Sequence, residues 1–167
     1  MSILGLSFQE VQPIVLCAQD FPDGYSEGRH PDDYVKMNTA IQPQFILHNQ
    51  RGRFSRLWWR VSWKLQDGTF VPMSFLLDTS APKHIYLSED ALNLLEADKQ
   101  VVHNDDMGAQ HVTLFTKKCA VEAMPHTQNP ANILGLKMLR RFGLELYNDE
   151  PGFQFKTNIP FLTPELL

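Results

Sequence analysis

The ten residues from Leu57 to Gln66 constrain the fold more than any other stretch. Leu57, Trp59, Val61, Trp63 and Leu65 alternate with Trp58, Arg60, Ser62, Lys64 and Gln66. That two-residue period belongs to a strand with one apolar face. Asp67-Gly68 follows at once, and a two-residue hairpin loop needs the positive φ values this pair accepts. The chain then returns through 69–77 as a second strand. Pro72 has no N–H to give a ladder, so an edge or a bulge is expected there.

The rest of the chain follows the same style. Residues 83–88 read as a short strand. Ser88 is placed to cap a helix over 89–97, with Glu89 and Asp90 at its positive end. Residues 100–118 read as a hairpin turning at 104–108, and 119–125 as another strand. The segment 132–143 ends in a helix, with Arg140 and Arg141 in its last turn and Gly143 as its stop. Residues 144–155 read as a closing hairpin around 149–152. Upstream, Pro22, Asp23, Gly24, Gly28 and Pro31 mark a string of turns, with one short strand at Phe45 to His48. The chain therefore divides into a turn-rich extension (1–55), a mainly β domain with two short helices (56–157) and a tail (158–167). Its 167 residues, 43% hydrophobic and 20% charged, suit one domain with a proper core.

Asp78 is the leading candidate for chemistry. It ends the apolar run Phe75-Leu76-Leu77 and is followed by the small residues Thr79, Ser80 and Ala81 before Pro82. An ionised carboxylate at the mouth of an apolar strand must be paired, protonated or functional. The plainer reading is an Asp that starts a turn and bonds to local backbone.

The run Leu76-Leu77-Asp78-Thr79-Ser80-Ala81 resembles the Asp-Thr/Ser-Gly-Ala signature of the retropepsin-like aspartic proteases. Downstream, Ile133-Leu134-Gly135 opening into a helix resembles that family's second element. The hairpin of His103, Asn104, Asp105, Asp106, Met107 and Gly108 lies where the family carries its flap. The resemblance spans roughly residues 56 to 156 and implies a closed β-barrel forming one lobe. It also implies an aspartic endopeptidase in which two lobes each supply one Asp and the two carboxylates share a proton. This chain has a single Asp-Thr dipeptide, so the activity implies a homodimer with Asp78 from both subunits. On this resemblance Asp78 is catalytic and Thr79 braces the active-site loops. Ser80 and Ala81 line the substrate cleft, and Ile133, Leu134 and Gly135 form a structural turn. Ser80 stands where the family usually has Gly, and its Cβ restricts positive φ. The other reading on the same fold is a catalytically inactive module that binds a peptide or partner protein.

Other residue groups carry plainer readings. His103, Asp105, Asp106 and His111 cluster on one hairpin, a set that either binds a metal or is solvated. The latter is favoured, so no metal or organic cofactor is expected. Trp58, Trp59 and Trp63 read as packing before ligand stacking. Arg51, Arg53, Arg56 and Arg60 read as a solvated strand entrance before a phosphate or RNA contact. Cys17 and Cys119 form neither a disulfide framework nor a zinc knuckle. The net charge of −4 offers no general attraction for nucleic acid, and no uninterrupted apolar stretch would span a bilayer. The expected partners are a peptide or protein substrate and a second copy of the chain, without nucleic acid or membrane. The expected setting is cytoplasmic or otherwise intracellular.

Overall fold

A computed structural model of the protein describes residues 16–26, 29–49, 55–103, 109–114, 117–123, 131–142, 145–149 and 152–156. Eight strands form one sheet: β1 (Gln44–Asn49), β2 (Ser55–Lys64), β3 (Phe70–Asp78), β4 (Ile85–Leu87), β5 (Val102–His103), β6 (Gln110–Leu114), β7 (Lys117–Ala123) and β8 (Asn132–Gly135). Their order across the sheet is β1-β2-β3-β8-β4-β7-β6-β5. A separate antiparallel pair joins β9 (Glu145–Asp149) to β10 (Gly152–Lys156). Two short helices, α1 (Glu89–Ala97) and α2 (Leu136–Arg141), complete the fold. Ser88 caps α1 as its sequence predicts, accepting from the Ala91 N–H at 3.3 Å. Ala91 and Leu95, one turn apart, are that helix's buried residues.

The β2–β3 hairpin pairs antiparallel, from Trp58↔Leu76 to Lys64↔Phe70. Trp59, Val61, Trp63 and Leu65 enter the larger core with Val71, Met73, Phe75 and Leu134. The opposite face of β2 is buried too. Trp58 anchors a second core with Leu76, Ala81, Tyr86 and Ile133. Arg60 and Ser62 are also buried. The cover comes from residues 16–26 and 29–49. The Trp58 ring N–H donates to the Asp20 carbonyl at 3.1 Å, Ile41 N–H donates to Ser62 Oγ at 2.8 Å, and Arg60 pairs with Asp33 at 3.2 Å. The turn-rich stretch thus supplies an edge strand and a second layer.

Three expectations need correction. The β2–β3 turn spans residues 66–68 rather than the pair Asp67-Gly68: Leu65 N–H donates to the Thr69 carbonyl, and Gly68 has positive φ while Asp67 does not. The sheet is open rather than a closed barrel: β1 pairs with β2 and β5 with β6, and among the described residues no pairing joins β1 to β5. Closure needs the first and last strands to share a ladder, and β5 has only two residues to offer. Arg60 is not a solvated strand-entrance residue, because its side chain is 7% exposed and rests against Asp33. Arg56 likewise pairs with Asp20 at 3.0 Å, while Arg51 and Arg53 lie outside the described residues. Pro72 meets its expectation. The β3–β8 ladder begins only at Phe75, so beside Pro72 a loop takes the place of a strand, with Tyr34 N–H donating to the Pro72 carbonyl at 2.9 Å.

Candidate active site

The residues quoted for the family signature come from two strands that the fold lays side by side. β3 and β8 run parallel, pairing Phe75↔Asn132, Leu76↔Ile133, Leu77↔Leu134 and Asp78↔Gly135. Ile133 and Leu134 are fully buried on opposite sides, one in each core. Gly135 is required by contact and not by its dihedral, since its φ is −85°. A Cβ there would lie 2.1 Å from the Lys83 carbonyl oxygen and 2.7 Å from that of Ala81. The loop after Asp78 crosses directly over Gly135. Its N–H donates to the His84 carbonyl at 2.9 Å, and Leu136 N–H donates to the Ala81 carbonyl at 2.7 Å.

That lacing fixes the carboxylate. Asp78 ends β3, and the chain turns at Thr79 and Ser80. Asp78 Oδ1 accepts from the Ser80 N–H at 2.8 Å and from Ser80 Oγ at 2.6 Å. Asp78 Oδ2 is buried and has no hydrogen-bond partner among the described residues. Such an orphan acceptor is costly. Ser80 is not among the described residues with positive φ, so its Cβ imposes no left-handed strain. Thr79 and Ser80 are exposed, whereas Ala81 is fully buried in the smaller core. On the hairpin expected to form a flap, Val102 and His103 form β5, are exposed, and pair with His111 and Gln110. The tip, Asn104, Asp105, Asp106, Met107 and Gly108, lies outside the described residues.

A second polar system lies behind the site. Asn132, one residue before Ile133, accepts from Ser88 N–H at 2.9 Å and donates to Tyr34 Oη at 2.9 Å and to the Ser74 carbonyl at 3.2 Å. Tyr34 Oη also bonds Ser88 Oγ at 3.0 Å. One buried amide therefore joins β3, the cap of α1 and the N-terminal layer. Burial pushes the Tyr34 phenol above its ordinary value, so it remains neutral. Tyr25 extends the system through Ser74 Oγ at 3.1 Å. Burial also raises the Asp33 carboxyl, against the opposing effect of its Ser74 and Arg60 neighbours. Sequence reading passed over these residues, although two signals were present: Ser74 interrupts an apolar strand, and Asn132 precedes an apolar pair.

Among the described residues no group of three or more His, Cys, Asp or Glu side chains is arranged to hold a metal ion. The Cys119 thiol is pushed up to about 11 by burial, which leaves little thiolate for nucleophilic attack. No helix among the described residues is long and apolar enough to cross a membrane. Comparison with protein-family models, curated proteins and solved structures found no match to this chain.

Proposed function

We propose that the protein is an aspartic endopeptidase of the retropepsin-like type, active as a homodimer with one Asp78 from each subunit. The observation that carries this reading is the half-satisfied carboxylate. Ser80 holds Oδ1, while Oδ2 is buried with no hydrogen-bond partner among the described residues. In the dimer the exposed turn at Thr79 and Ser80 brings a symmetry-related Asp78 alongside, and two close carboxyls share one proton as a hydrogen bond. The ionised member then takes a proton from water, and the protonated member polarises the scissile carbonyl. Exposed Thr79 is available to a second subunit. The Ser80 N–H supports the geometry from the position where the family has glycine.

One observation favours the second reading, a non-catalytic module that binds a peptide or partner protein. Ser80 Oγ donates to the same Oδ1 that its N–H holds. A glycine would leave that acceptor site free, and a doubly held oxygen is also how an Asp stabilises a turn. The deciding experiment is Asp78→Asn, assayed on a mixed peptide library together with thermal melting. The peptidase reading expects cleavage to disappear with the melting transition retained. Equal cleavage by the variant removes Asp78 from the chemistry. A parent protein that cuts nothing across the pH range favours the binding module.

A further inference from the structure

Away from Asp78, three strands and a helix gather positive charge. His84, just before β4, accepts on Nδ1 from the Ala120 N–H of β7 at 3.1 Å. Ala120 is in turn the register partner of His111 on β6. The two histidines thus meet one residue of β7 from its two sides, His84 through the main-chain N–H of Ala120 and His111 across the antiparallel ladder. Arg141, in the last turn of α2, donates from Nη1 to the Lys118 carbonyl two residues along the same strand. Lys137 lies four residues before Arg141, on the same side of the helix.

Two features of the cluster favour an anionic ligand. Burial, then the charges of Arg141, Lys137 and His111, hold the His84 imidazole below its ordinary value, and each of these charged neighbours is a cation or becomes one on protonation. The one carboxylate known nearby on β7, Glu122, faces Lys83 at 3.9 Å. Like charges held together are unfavourable, and a dianion relieves that repulsion. Arg141 adds a planar donor fork suited to phosphate oxygens.

We propose that His84, His111, Lys137 and Arg141 form a binding site for a phosphoryl oxyanion. The site uses none of the residues assigned to the peptidase reading and stands or falls separately from it. The test is a titration of isotope-labelled protein with inorganic phosphate, following both imidazoles against sodium chloride at matched ionic strength. Saturable shifts at His84 and His111 are expected, with His84 protonation moving to higher pH. Arg141→Gln and Lys137→Gln, both at exposed positions, should each weaken binding by about tenfold or more and leave backbone spectra elsewhere unchanged. Shifts no larger than chloride produces, or an Arg141→Gln variant that titrates like the parent, overturn the proposal. A parallel arm with a phosphoserine peptide and its unphosphorylated form identifies the source. Tighter binding of the phosphopeptide supports a peptide-borne phosphoryl group, and equal or weaker binding supports the free anion.

Discussion

Gly135 shows how one residue can fix a loop by contact alone. The loop that carries Ser80 and Ala81 passes so close that any side chain at Gly135 meets the backbone carbonyl of Lys83 at 2.1 Å. Backbone cannot swing aside as a flexible side-chain end does. Gly135→Ala should therefore cost about 3 kcal/mol or more in denaturant unfolding, the range of severe overpacking. A variant within about 0.5 kcal/mol of the parent would show that the crossing is looser than described. The same crossing explains why Asp78 and Gly135 both stand out in the sequence. Each is a residue type its strand would not otherwise choose, an acid after an apolar run and a glycine between two helix-forming leucines. Those departures were legible. The orphaned Oδ2 was not, because it depends on what surrounds the carboxylate in space.

At the scale of elements, the layer formed by residues 16–26 and 29–49 is tied to β2 by two ion pairs, one buried and one partly buried, with opposite pH behaviour. Burial raises the Asp33 carboxyl above its ordinary 3.8. Its stabilising contribution is fully present below pH 3.8 and is lost as pH rises through the folded value, because the native state binds the extra proton. For Asp20, burial acts upward but the Cys17 N–H and Arg56 prevail, and its carboxyl ends below 3.8. Its contribution is present above that value and is lost on acidification. Asp33→Asn should therefore be more favourable relative to the parent at pH 7 than at pH 4, by urea melts at both. An effect of equal size at the two pH values would contradict the burial account. This layer is also where sequence reading fell short. The alternation of β2 shows one apolar face and implies that the other is wet. The residues that cover it have no period, and their bonds are long-range: Tyr34 and Asn132 are 98 positions apart. Hairpins, caps and the two helices were legible because their signals are local. An open sheet was not distinguishable from a barrel, since closure is decided by which distant edges meet.

At the scale of the whole molecule, the single chain is half of the machine proposed for it. It offers one Asp78, and one carboxylate cannot be both the base and the proton-bearing partner. The enzyme reading therefore requires a symmetric pair with Asp78 near the twofold axis. It also requires a pH–rate profile that peaks on the acid side of neutrality, where the pair holds one proton. Among the described residues the outer strands β1 and β5 pair on one side only, and proteins ordinarily cover or use such edges. The most direct test is a crystal structure of the protein with a bound peptide inhibitor, read for the separation of the two Asp78 carboxylates. The account predicts a twofold dimer in which they approach to about 3 Å and share a proton. A monomer, or a dimer that holds the two Asp78 side chains too far apart for one water to bridge them, would contradict it.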